Sequence, residues 1–225
     1  MPAAITGAPM LETARLRLRL FRDDDLDAYA DLCADPLVMR FLSEGRTLDR
    51  VEAWRQMAMF LGHWHLRGFG VWAVEERATG SLIGRIGFFQ PEGWPDFELV
   101  WTLARSRWGN GFATEGARAA LAHAFTTLGR DRVVSFIHPD NRASIRVAER
   151  LGMQPDGTAE VLGRTLLLYA IRREEWALPH AAPFAYAPLP STPATPPNPA
   201  GPAVLPAPSD PPTPPVLPTP PDPAP

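Results

Sequence analysis

The chain has 225 residues, a formal charge of −3 and a single cysteine. Its 22 basic residues are all arginine and lie scattered, which leaves no electrostatic footprint for nucleic acid. One cysteine excludes an internal disulfide framework and suits a reducing cytoplasm, and no signal peptide or apolar run of membrane length is evident.

The composition divides the chain near residue 178. Of 27 prolines, 20 lie from Pro179 onward, together with only two charged residues, Asp210 and Asp222. Such a segment cannot bury a core, and proline denies it hydrogen-bonded structure. A disordered, partly polyproline II tail is expected over 179–225, acting as a spacer, although stretches such as Pro193–Pro196 also fit a P-x-x-P ligand pattern. Residues 1–9 are expected to be flexible, and 10–178 to form one domain.

Within that domain, Arg15–Phe21 alternates arginine and leucine, the pattern of a half-buried strand. Helices are expected near Asp24–Cys33 and Leu48–Arg67. Phe69–Glu75 and Leu82–Phe89 read as strands joined around Ala78-Thr-Gly80, and Phe97–Leu103 as a further strand after a loop rich in turn residues. The next helix carries Ala117, Leu121, Ala124, Phe125 and Leu128 on one face and stops at Gly129. A strand at Arg132–Ile137, a helix at Arg142–Leu151 and strands near Ala159–Leu162 and Thr165–Ile171 complete the domain. This order does not suit an alternating βα barrel. It fits an α+β fold, a mixed, mainly antiparallel sheet with helices on both faces.

The most informative stretch is Trp101–Glu115, which predicts a strand, a glycine turn and a helix. Gly109, Gly111 and Ala113 leave the backbone bare where the helix begins, and the first N–H groups of a helix lack intrahelical partners. Small residues there let a phosphate approach those donors. A P-loop is excluded because no lysine follows the glycines. A dinucleotide-binding turn is disfavoured because Thr114 and Glu115 occupy the region after the second glycine and no βαβ unit leads the chain.

After the turn come His138-Pro-Asp-Asn141-Arg-Ala-Ser144 and Ala148-Glu-Arg-Leu-Gly152. The combination Trp-Gly-x-Gly-x-Ala-Thr-Glu followed by Asn-x-x-Ser-x-x-x-x-Glu-Arg-Leu-Gly resembles the GNAT superfamily of acetyl-CoA-dependent N-acetyltransferases. Leu11–Leu18 and Leu168–Trp176 resemble its branch of ribosomal-protein N-terminal acetyltransferases, and the resemblance spans about residues 10–178. It implies transfer of an acetyl group from acetyl-CoA, without a metal, to a protein or peptide N-terminus or a small amine. It also implies strands that splay apart around the cofactor. Nucleic-acid and membrane partners are not expected, a cytoplasmic location is, and a homodimer is left open. The contrasting reading is a non-enzymatic acyl-CoA binder or scaffold that uses its tail as a ligand.

By this resemblance the cofactor would be held by Trp108, Gly109, Asn110, Gly111, Phe112, Ala113 and Thr114 at the turn. Backbone N–H groups around Trp101, Thr102 and Leu103 would polarise the thioester carbonyl, and Asn141 would reach the pantetheine arm or cap its helix. Glu98 is the candidate base, provided burial raises its pKa, and His138 is its rival. Many relatives place a leaving-group tyrosine on the helix after Asn141. Here Ala148 stands at that position, and Ser144 is the nearest alternative. Trp108 replaces the Gln or Arg found at the head of the turn in many relatives. Aromatic residues within Val51–Arg67, and Tyr169, read as core; Cys33 reads as a small buried hydrophobe.

Overall fold

The computed structural model describes residues 8–176. The expected tail and residues 1–7 lie outside them. Pro9 is tied to the domain by Trp72, whose Nε1 donates to its carbonyl at 2.8 Å.

The elements are β1 (Leu11–Glu12), β2 (Leu16–Arg19), α1 (Leu26–Ala34), α2 (Pro36–Met39), α3 (Arg50–Arg67), β3 (Val71–Glu76), β4 (Leu82–Phe89) and β5 (Glu98–Leu103). They continue with α4 (Phe112–Thr126), β6 (Arg132–Ile137), α5 (Arg142–Arg150), β7 (Gln154–Val161), β8 (Arg164–Arg172) and α6 (Arg173–Trp176). One eight-stranded sheet runs β1-β2-β3-β4-β5-β6-β8-β7. Every neighbouring pair is antiparallel except β5–β6. The expected mixed, mainly antiparallel sheet is therefore present.

Helices cover both faces because the strands alternate apolar side chains to both. In β3, Val71 and Ala73 pack with Tyr29 and Cys33 of α1 and Met57 and Phe60 of α3. Trp72 and Val74 point the other way, toward Ala117, Ala120, Leu121 and Ala124 of α4. Fully burying a side chain such as Leu121 is worth about 1.5–3 kcal/mol. A β-carbon on Gly116 would lie 2.6 Å from Ile86 Cδ1, so any larger residue here would make the Ile86 side chain shift to keep α4 this close to the sheet. α3 starts with a reciprocal cap. Asp49 accepts from the Glu52 N–H at 2.8 Å, and Glu52 accepts from the Asp49 N–H at 3.0 Å. It ends at Gly68, whose φ of 73° continues no right-handed turn.

The sheet is weakest at its one parallel join, where the register has a single pair, Glu98 with Val134. The Val134 N–H donates to Phe97 O at 3.1 Å. The next rung of a parallel ladder would join the Phe136 N–H to Leu99 O. Instead, Leu99 O accepts the Ser135 hydroxyl at 2.7 Å, and the Phe136 N–H donates to the Glu98 carboxyl at 3.2 Å. Two side chains thus close the ladder, and beyond them the strands part.

Candidate active site

Where β5 and β6 part, a cavity of about 90 Å³ opens, lined by Glu98, Trp101, Thr102, His138, Asn141 and Ser144 among others. Residues far apart in sequence, from Phe41 to Ser144, converge here, most of them because β5, β6 and the start of α5 meet at the parallel join.

Glu98 opens β5 and is only 6% exposed. Its Oε1 accepts from the Phe136 N–H at 3.2 Å and its Oε2 from Trp94 Nε1 at 2.9 Å. Burial pushes its pKa up to about 8, against the opposing pull of these two donors and of Arg85. A group of that pKa is the conjugate acid of a base matched to an α-amine of pKa about 8. The same burial makes a stability prediction. The unfolded carboxyl ionises near 4.5 and the folded one near 8. Across that window the folded state binds more protons, so Glu98's contribution to stability falls as pH rises from about 4.5 to 8 and levels off above. Glu98→Gln stays neutral throughout. Its melting temperature relative to the unsubstituted protein should therefore climb between pH 5 and 8.5, as followed by thermal unfolding. A pH-independent difference would mean that Glu98 is ionised in the fold.

Backbone donors face the same gap. The Ala104 N–H bonds Ile83 O, toward β4, at 2.9 Å, whereas the carbonyls of Phe97 and Leu99 are turned to β6. Successive residues of a strand address opposite edges. The N–H groups of Trp101 and Leu103 therefore face the side where no strand meets them. Thr102 departs from the expectation: its backbone turns to β4, and it offers only its side chain to the cavity. That side chain is buried, and its hydroxyl has no hydrogen-bond partner among the described residues.

Ser144 Oγ accepts from Trp101 Nε1 at 3.2 Å, a contact that spans the gap between β5 and α5. Asn141 caps α5 through its Oδ1, which accepts the Ser144 N–H at 3.2 Å, and it also lines the cavity. Ala148 is fully buried against the sheet and supplies no polar group. The His138 ring stacks on Phe41 at 5.0 Å, and its Nδ1 accepts the Asp140 N–H at 3.1 Å, so this nitrogen is engaged in its own turn.

The glycine turn is built from left-handed backbone. Gly109 and Gly111 sit at φ of 77° and 78°, in the left-handed region that favours glycine. Gly111 starts α4 with no side-chain cap, which leaves the N–H groups of Phe112, Ala113 and Thr114 for an anion. A β-carbon on Gly109 would meet nothing within 4 Å, so the approach is clear. Trp108 is neither core nor a free ring. It is 47% exposed, and its Nε1 donates to Leu103 O at 2.8 Å, capping the end of β5.

Behind the turn stands a network that the sequence reading did not assign. Glu115 accepts from the Thr13 hydroxyl at 2.6 Å, the Arg15 N–H at 2.9 Å and Arg15 Nε at 2.7 Å. Burial alone would raise the Glu115 pKa, but these donors hold it below the ordinary carboxylate value. Arg15 also donates to Asn110 O at 3.0 Å and lies over the Phe112 ring at 4.4 Å. Its signal was the charged pair in two motifs read separately, Thr13-x-Arg15 and Ala113-Thr-Glu115. Two further residues were not foreseen: Trp94, a donor to Glu98, and Arg85, which lines the cavity. Among the described residues no group of His, Cys, Asp and Glu could hold a metal ion, and no helix is long and apolar enough to cross a membrane.

The strand splay, the buried glutamate and the bare helix start all lie along β5 and the helix that follows it. Residues 15–154 match the family described as the acetyltransferase (GNAT) domain, and the chain belongs to that family. Among its relatives is the uncharacterized protein YkkB of Bacillus subtilis, 34% identical over 71% of this chain and 93% of that protein. Another is the uncharacterized N-acetyltransferase YoaA of the same organism, 30% identical over 66% of this chain and 85% of that protein. An acetyltransferase from Agrobacterium tumefaciens has a similar crystal structure, with a TM-score of 0.66 and 34% identity over 73% of this chain and 94% of that one.

Proposed function

We propose that this acetyltransferase moves an acetyl group from acetyl-CoA to a primary amine, the α-amine of a protein or peptide N-terminus or of a small molecule. The observation that carries the reading is Glu98, buried in the cavity that Trp101 also lines, with its pKa pushed up to about 8. An α-amine of pKa about 8 shares its proton evenly with such a base, whereas a lysine amine of pKa about 10.4 gives it up less readily and so depends more on the base. The resemblance of Leu11–Leu18 and Leu168–Trp176 to the ribosomal-protein N-terminal acetyltransferases agrees with an α-amine.

In this reading the N–H groups of Phe112, Ala113 and Thr114 hold the pyrophosphate of the cofactor, and Asn141 holds its pantetheine arm. Acetyl-CoA supplies the activated acetyl thioester. Glu98 takes the ammonium proton of the acceptor at Oε1 or Oε2. The Trp101 N–H stabilises negative charge on the acetyl oxygen. Ser144, whose hydroxyl accepts from Trp101 Nε1 and so keeps its own proton for donation, protonates the leaving thiolate and regains a proton from the attacking nitrogen as the adduct collapses to the amide. A location in the cytoplasm follows from the same substrate.

The test is incubation with acetyl-CoA and a pooled panel of amines while free thiol is followed. Thiol release that depends on amine, and that rises with pH to about 8 as Glu98 ionises, is the expected result. Clear CoA binding with no turnover on any amine would favour a non-enzymatic binder.

A further inference from the structure

Among the described residues, Arg85 is the arginine that lines the cavity. It sits in the middle of β4, opposite Thr102 of β5, and its side chain lines the cavity. Its guanidinium lies 5.1 Å from the centre of the Phe60 ring, on the α1–α3 face of the sheet. Among the described residues it forms no ion pair. The ionisable groups around it are Tyr29 and Cys33, both pushed up by burial and both pulled down by the guanidinium, and Glu98 of the same cavity, whose carboxyl Arg85 pulls down against burial. The contrast is Arg19, also within the fold, which bonds two carboxylates, Asp25 at 2.7 Å and Glu75 at 2.7 Å. A partly buried cation with no ion-pair partner at contact distance is free to take an anion that enters the cavity. Beside it, the buried Thr102 hydroxyl also lacks a partner.

We propose that Arg85 binds a carboxylate on the acceptor, so that the substrate is an amine that also carries an acid group. This rests on the proposed acetyl transfer and names its substrate class. A single guanidinium presents two parallel N–H donors that match two carboxylate oxygens. No second arginine lines the cavity to balance a phosphate dianion. The orphan Thr102 hydroxyl gains an acceptor when the carboxylate arrives. The carboxylate has two sources: the main-chain acid of a free amino acid or dipeptide, and the side chain of an acidic residue close to a protein N-terminus.

The experiment compares acceptors that differ only in that group. Alanine is set against alaninamide, Ala-Ala against Ala-Ala-amide, and the amidated peptide Ala-Asp against amidated Ala-Asn. Acetyl transfer is measured for each, and binding of each to the protein without acetyl-CoA is followed by ligand-observed NMR. Within at least one pair the acid should be favoured at least tenfold in kcat/KM and should bind more tightly. The first two pairs report a main-chain carboxylate and the third a side chain. Arg85→Gln should reduce the acid-to-amide ratio to near one, and Arg85→Lys should restore part of it, with melting temperatures recorded to keep folding separate from recognition. Amides that match acids in every pair, or a preference that survives in Arg85→Gln, would overturn the proposal. If no amine is acetylated but the acids bind in an Arg85-dependent way, the acetyl-transfer reading fails and the carboxylate site stands. Acids that neither bind nor react preferentially sink the site alone.

Discussion

Glu98→Gln should lower turnover by about 10²–10⁴-fold, the range for a positioned general base. Glutamine keeps the shape of the side chain and can still accept from the Phe136 N–H, so the join between β5 and β6 should survive. CoA affinity should barely move, because Glu98 lies at the opening of β5, whereas the cradle follows its end. Below pH 8 the unsubstituted enzyme should gain activity with each rise in pH as the carboxyl ionises. Above it, the deficit of the variant should shrink, because the amine is by then neutral without help. The deficit should also be larger for a lysine acceptor than for an α-amine, since fewer lysine amines are neutral at any pH below 10. Initial rates across pH 6–9 on one α-amine and one ε-amine would measure all of this. A variant as fast as the parent throughout would remove Glu98 from the chemistry and leave His138, or a site that waits for neutral amine.

Ala113→Glu should weaken CoA binding by about 100-fold or more, because it sets a carboxylate beside the N–H groups that would meet the pyrophosphate, and like charges in close contact cost several kcal/mol. A negative charge in the first turn of a helix is favourable to the helix itself. The melting temperature should therefore hold or rise slightly while affinity collapses, a pairing that generic damage does not produce. Gly111→Val should also cut affinity, but with a lower melting temperature, because a β-branched residue at φ of 78° is strained. Calorimetry with CoA on both variants measures the effect. Unchanged affinity in both would place the cofactor elsewhere.

Long periodic elements were legible in the sequence. Leu82–Phe89 and Arg132–Ile137 carry clean strand patterns, and the structure has them at those limits. β7 begins at Gln154, well before the expected Ala159, because Pro155 and Gly157 look like a turn. At the edge of the sheet a proline forfeits no needed ladder bond, and the strand accommodates it with a register shift between Pro155 and Thr158. The short β1, α2 and α6 were missed because two to four residues carry no period; packing holds them. Within the site, Glu98 was readable from its motif, but its burial was not, since that depends on Trp94 and Phe136 folding over it. Arg85 was invisible for the same reason: in sequence it is one arginine among 22, and only the β4–β5 register puts it in the cavity.

The tether between Arg15 and Glu115 joins positions 100 residues apart. The conformational entropy of the glycine turn is thus removed while the chain folds, when the β1–β2 corner and α4 come together, and not when an anion arrives. A cradle already locked in its bound shape can devote the full strength of its backbone donors to the ligand. On the proposed cofactor reading, Gly109 and Gly111, two of the least constrained residues in the chain, would meet the anion in a turn that Arg15 already holds through Asn110.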